Sequence, residues 1–103
     1  MEIKYQIMSG NLYIFFDGEL DEYSALKAKT LLDKIIDENM TVNRAVFNLS
    51  KLTFMDSTGI GLLIGRYKRL NAVGIKCFWE QALPNVQKVI EISGLNGLIP
   101  QLS

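Results

Sequence analysis

A chain of 103 residues can build one compact domain with a buried core and is too short for two; its 49% hydrophobic and 21% charged residues are ordinary globular composition. Eleven Lys and Arg balance eleven Asp and Glu, so no global field draws the chain to nucleic acid or an anionic membrane surface. There is no histidine, which removes Ser–His and Cys–His nucleophilic pairs, histidine proton shuttles and most zinc or iron sites.

The single cysteine, Cys77, excludes an internal disulfide and fits a reducing compartment. No apolar run approaches the roughly 20 residues of a membrane span, and "MEIKYQIMSG" has no signal-peptide pattern. A cytoplasmic location is expected, with no membrane association.

In chain order, "IKYQIM" and "LYIFFDG" read as strands joined by a hairpin turn at Ser9-Gly10-Asn11. In "DEYSALKAKTLLDKIIDEN", Ala25, Ala28, Leu32, Ile35 and Ile36 recur at helical spacing, with Asp21 placed as the N-cap. "RAVFNLS" is a short apolar run of strand length. A helix is predicted from Ser57 to Ala72, with Gly74 as its stop, and "IKCFWEQ" reads as another strand. Pro84 suits the first position of a helix "PNVQKVIEIS" that Gly94 terminates. The tail "LNGLIPQLS" fits either a turn with a short strand or a short helix. The order ββαβαβα over residues 1–103 predicts a single α/β domain in which right-handed crossovers make the second, third and fourth strands parallel and the first strand pairs antiparallel with the second.

The predicted helix at Ser57 carries Gly59, Gly61 and Gly65, each costing about 1 kcal/mol relative to alanine. Stepping 100° per residue places Ile60, Leu63, Ile64, Tyr67 and Leu70 on one face, which is the expected core face. The opposite face carries Thr58, Gly61, Leu62, Gly65, Arg69 and Ala72. A small-residue stripe with one exposed leucine allows another backbone to approach closely; alternatively the glycines pack against the domain's own neighbours.

Asp56-Ser57-Thr58 is first of all a capping cluster. A hydroxyl at a helix N-terminus also suits phosphorylation, because free amides and the helix dipole stabilise the added dianion. Gly59, Gly61 and Gly65 partly match a dinucleotide fingerprint with Glu80 as the ribose acid. The spacing is GxGxxxG instead of GxGxxG, and the glycines lie ten or more residues beyond "AVFNL", where the fingerprint turn follows its strand at once. A serine-hydrolase elbow fails on Met55 in place of the leading glycine and on the missing histidine. Phe54, Tyr67, Trp79 and Cys77 read as core or sheet-face residues, and "RYKRL" as a solvated helix face. Glu19 and Asp21 serve as turn and cap residues or else approach Ser57 from the end of the second strand.

"FDGELD" (16–21), "NLSKLTFMDSTGIGLLIGRYKRL" (48–70) and "PNVQKVIEISGL" (84–95) resemble, in order and over essentially the whole chain, the STAS-domain anti-sigma-factor antagonists of bacteria, in particular the free-standing sporulation and general-stress type. The resemblance implies a STAS-like α/β sandwich with a mixed, mostly parallel sheet of four or five strands and helices packed against it. It implies a phosphorylation-controlled partner switch without catalysis, cofactor or metal. The unphosphorylated chain would bind an anti-sigma factor that is also a GHKL-type serine kinase, releasing a sigma factor. Phosphorylation of Ser57 would end that contact, and a PP2C-type phosphatase would reset it. The contact surface would comprise Asp21, Asp56, Thr58, Gly59, Gly61, Leu62, Gly65 and Arg69, on a chain that is monomeric when free and binds no nucleic acid. The alternative is a STAS module that senses a nucleotide or other small ligand, or serves as a scaffold, without using Ser57. The short N-terminus and the tail ending soon after "SGL" depart from the family pattern only at the periphery.

Overall fold

The computed structural model describes residues 1–102. Strand β1 (Glu2–Met8) turns into β2 (Asn11–Leu20) through Ser9 and Gly10, at φ of 52° and 78°. Positive φ at both central residues gives a turn whose twist matches the strands, and antiparallel pairing runs from Glu2 opposite Asp17 to Met8 opposite Asn11. Helix α1 (Ala25–Asp37) returns the chain to β3 (Arg44–Met55), and α2 (Ser57–Ala72) leads to β4 (Lys76–Glu80). Helix α3 (Pro84–Ser93) and a 3-10 turn at Leu95–Gly97 follow. The sheet order is β1-β2-β3-β4, with β2, β3 and β4 parallel. This is the expected α/β topology at the lower of the two strand counts.

Right-handed crossovers that advance one strand at a time place their helices on the same face. Accordingly α2 packs between α1 and α3, and the three form one layer. The sheet's helix-facing side carries Leu12, Ala45 and Cys77 in one row and Ile14, Phe47 and Trp79 in the next. All six are buried. Phe16 meets Phe47 edge to face with ring centroids 5.9 Å apart, a favoured aromatic geometry. From α1 come Ala28, Leu32 and Ile36; α2 adds Leu63 and Leu70, and α3 adds Val86 and Ile90.

Strand β3 does not stop at Ser50. Two irregularities in its pairing with β2, between Phe15 and Asp17 and between Gly18 and Glu19, insert an extra β3 residue each time. Each bulge resets the two-residue alternation. Leu49, Leu52 and Met55 therefore all reach the core at intervals of three, and Phe54, expected inside, is 45% exposed.

The start of α1 also differs from the sequence reading. Its N-cap is Ser24, not Asp21. Asp21 closes the preceding turn, where its Oδ1 accepts from the amides of Tyr23 and Ser24, both at 3.0 Å. The Ser24 hydroxyl in turn accepts from the Asp21 amide at 3.0 Å and donates to the Glu19 carbonyl at 2.9 Å. The other boundaries match: Pro84 opens α3, and Gly94 closes it at φ 78°. The tail does both things left open. After the 3-10 turn it runs beside β4, with the Trp79 amide donating to the Pro100 carbonyl and the Leu102 amide to the Trp79 carbonyl.

Candidate functional site

The second bulge brings β3 straight into α2. Asp56 is extended at φ −110° and ψ −171°, and its Oδ1 accepts from the amides of Thr58 (2.9 Å) and Gly59 (3.1 Å). A carboxylate here also faces the positive end of the helix dipole. The Asp56 amide donates to the Leu20 carbonyl at 3.3 Å, which anchors the helix start to the end of β2. Ser57 and Thr58 are exposed. The capping work falls to Asp56, so the Ser57 hydroxyl makes no side-chain hydrogen bond among the described residues.

The three helical glycines divide. A Cβ on Gly59 would lie 2.7 Å from Met55 Cγ and 2.8 Å from the Leu20 carbonyl oxygen. Gly59 is thus an internal packing residue that lets α2 seat on the ends of β2 and β3. Among the described residues, a Cβ on Gly61 or Gly65 would meet nothing within 4 Å. These two leave the helix backbone bare on its outer side.

Leu62, expected exposed, is 8% exposed and belongs to the core cluster. The helix is flanked by neighbours on both sides, so a position opposite the sheet-facing stripe is not free. The apolar exposure around Ser57 comes from the flanking helices. On the α1 side a groove of about 440 Å³ is lined by Ala25, Leu26, Thr58, Gly61, Leu62 and Arg66 together with the charged Glu22 and Lys29. On the α3 side a groove of about 290 Å³ is lined by Ser57, Ile60, Val89, Ile92 and Ser93. Leu26 and Ile92 are 78% and 77% exposed. Neither was singled out in the sequence, because single exposed apolar residues on helices are common; only the packing of α1, α2 and α3 shows that they flank the same helix start, Leu26 in the groove with Thr58 and Ile92 in the groove with Ser57.

Arg69 reaches back to α1. Its Nη1 donates to Asp33 Oδ1 at 2.7 Å, and its Nη2 bonds Asp37 Oδ1. These hydrogen bonds, first that to Asp37 and then that to Asp33, raise the guanidinium pKa further above its already high value. Arg66, one turn earlier, is 7% exposed. Its Nε lies 3.1 Å from the same Asp33 oxygen but out of line for a hydrogen bond, and Nη1 has no hydrogen-bond partner among the described residues. An unmet buried donor costs about 1–3 kcal/mol. "RYKRL" is therefore not a basic patch: Arg66 is buried, Arg69 is paired, and Tyr67 packs against the core.

Asp21 is committed to its own turn, although the pairing of Leu20 with Met55 sets the ends of β2 and β3 side by side. The dinucleotide reading fails on grounds other than distance along the chain. Strand β3 ends at Met55, only four residues before Gly59. However, Gly59 packs on backbone inside a helix, and Glu80 accepts from Asn48 Nδ2 at 2.8 Å on the sheet face away from the helices. Burial pushes the Cys77 thiol up to about 12, so it is an inert core group. Among the described residues no cluster of three or more His, Cys, Asp or Glu side chains is arranged for a metal, and no helix is long and apolar enough to cross a membrane.

A two-layer α/β domain whose middle helix begins with two exposed hydroxyl residues, Ser57 on one open apolar groove and Thr58 on another, is a surface-binding module in form. The STAS domain family model matches residues 2–103, and the chain belongs to that family. It is 30% identical over 100 residues to the anti-sigma F factor antagonist of Paenibacillus polymyxa, covering 97% of this chain and 85% of that protein. It is 31% identical over 86 residues to the anti-sigma-B factor antagonist of Listeria monocytogenes, covering 84% and 74%. Among solved structures, the anti-sigma factor antagonist SpoIIAA in its unphosphorylated form superposes with a TM-score of 0.76 at 28% identity, over 99% of this chain and 89% of that one. The phosphorylated form of SpoIIAA from Bacillus gives 0.67 at 27% identity, over 99% and 92%. The relatives so named are regulators.

Proposed function

We propose that this chain is an anti-sigma factor antagonist whose binding is switched off by a phosphate on Ser57. The observation that carries this reading is the division of labour at the head of α2. Asp56 caps the helix through its own carboxylate, which leaves the neighbouring Ser57 hydroxyl exposed and uncommitted. A phosphate added there meets the positive end of α2 without displacing a structural bond. The relatives and the existence of SpoIIAA in both phosphorylation states support the same assignment.

The unphosphorylated chain docks an anti-sigma factor over the outer face of α2, where Gly61 and Gly65 permit close backbone approach. Leu26 and Ile92 supply exposed apolar contacts on either side, joined by Thr58 and the rims of the two grooves. Asp56 and Gly59 shape the helix start, while Leu62 and Arg69 hold α2 against α1 beneath the contact. The partner is a GHKL-type serine kinase and a PP2C-type phosphatase restores the hydroxyl. Ser57 is then a substrate residue on a non-enzymatic, cytoplasmic, monomeric protein. The phosphate adds about −1.5 to −2 charges beside Asp56 in a contact that must be desolvated. Incubation with the cognate kinase and ATP should add one phosphate, abolished by Ser57→Ala; peptide mapping that places it on Thr58 overturns the assignment.

A further inference from the structure

We propose that Arg66, at the floor of the groove between α1 and α2, is a receptor for an acidic side chain of the docked anti-sigma factor. The proposal rests on the function given above and identifies the chemistry of the partner's contact. Three observations carry it. First, the Arg66 side chain is more than nine-tenths buried at 8% exposure, yet among the described residues its Nη1 has no hydrogen-bond partner. Second, Asp33, whose Oδ1 lies 3.1 Å from Arg66 Nε, already accepts from Arg69 through that same oxygen. Arg66 is thus ion-paired with Asp33, yet its Nε and Nη1 make no hydrogen bond among the described residues. Third, Arg66 lines a groove shared with Thr58 and Gly61 on the outer face of α2 and with Leu26 on α1.

The charges around the groove favour a carboxylate over a phosphate. Lys29, Arg66 and Arg69 are offset by Glu22, Asp33 and Asp37. No net positive field is left to hold a dianion. What the site offers is a largely buried guanidinium between apolar walls, whose planar, directional N–H groups match a planar monoanion presented by a protein side chain. A guanidinium whose hydrogen bonds are completed only in the complex also supplies specificity, since a partner lacking the acid would leave them unmet.

The test uses the full chain and its cognate anti-sigma factor. Arg66→Met keeps length and apolar contact and removes the guanidinium; Arg66→Lys keeps charge alone. Thermal melts establish that each variant is folded. Arg66→Met should weaken binding at least about thirtyfold, as expected for removing one partner of a desolvated charge pair, and Arg66→Lys should restore little of the loss. Scanning acidic residues of the partner with Glu→Gln and Asp→Asn should find one whose loss adds nothing further in the Arg66→Met background. In the wild-type chain the Arg66 Nε–H resonance should shift on adding the partner and stay still with sodium acetate or sodium phosphate at millimolar concentration. Should Gly61→Gln abolish binding while Arg66→Met binds within threefold of wild type, docking on α2 stands and the carboxylate receptor is wrong. A saturable shift with phosphate alone would make the groove a free-anion site and overturn the proposal. Absence of any binding by the wild-type chain would remove both this inference and the function it rests on. If Arg66→Met does not fold, the resonance shift and the acidic scan against wild type decide the matter.

Discussion

Replacing Gly61 by alanine should make the protein more stable, while the same change two residues earlier should make it less so. Gly61 lies inside α2, and a Cβ there touches nothing within 4 Å. The gain is the difference in helix propensity, about 1 kcal/mol. For a domain of this size that corresponds to roughly 4–8 °C in Tm. At Gly59 the same propensity gain is opposed by contacts at 2.7 Å with Met55 and 2.8 Å with the Leu20 carbonyl. Forcing extra volume into a packed site costs about 1–3 kcal/mol, and the backbone carbonyl cannot rotate away as a side chain does. The net effect at Gly59 is a loss of up to ~2 kcal/mol. Gly61→Gln extends the experiment to function. It keeps most of the helix-propensity gain and fills the groove beside Leu26 and Thr58, so affinity for the anti-sigma factor should fall tenfold or more, at ~1.4 kcal/mol per decade. Differential scanning calorimetry and isothermal titration on the same preparations read both quantities. A Gly61→Ala protein that melts below the parent, or a Gly61→Gln protein that binds within threefold of it, would refute the reasoning.

Two further predictions follow from burial. Leu62→Asp, which on a helical wheel should be silent for folding, should instead cost more than about 3 kcal/mol, because it removes a buried leucine and places a carboxylate in its place; a Tm within a few degrees of wild type would contradict the 8% exposure. Cys77, with its thiol pushed up to about 12 by burial, should resist iodoacetamide at pH 8 in the native state and react readily in urea. Because the folded thiol holds its proton when the unfolded one has lost it, the Cys77 contribution is constant below about pH 9 and stability is then lost as pH rises toward 12, by up to ~1.36 kcal/mol per unit; the slope should vanish in Cys77→Ala.

What the sequence revealed depends on how local the cause is. The boundaries of α2 and α3 are legible because Asp56, Pro84 and Gly94 act on the backbone within a few residues. The hairpin is legible for the same reason, through Ser9-Gly10. The second half of β3 is not, because the two bulges convert a period of two into the spacing of Leu49, Leu52 and Met55, which resembles neither strand nor helix. The head of the candidate site, Asp56-Ser57-Thr58, was readable as a motif; its flanks were not. Leu62, Arg66 and Arg69 occupy the side of α2 that meets α1, and a helical wheel has no way to represent a second neighbouring helix. The available signal was charge spacing: Asp33 and Asp37 one turn apart on α1, facing Arg66 and Arg69 on α2.

The central claim is that a phosphate on Ser57 blocks the anti-sigma factor by local charge, leaving the fold unchanged. It is tested most directly by titrating that partner with the chain before and after stoichiometric phosphorylation, with backbone chemical shifts recorded on both forms. Like charges brought together across an interface cost several kcal/mol, and ~3 kcal/mol is more than a hundredfold in affinity. Phosphorylation should therefore weaken binding by at least that factor, with shift changes concentrated in residues 55–62. Affinity preserved within a few-fold, or shifts spread across β1 to β4, would contradict it.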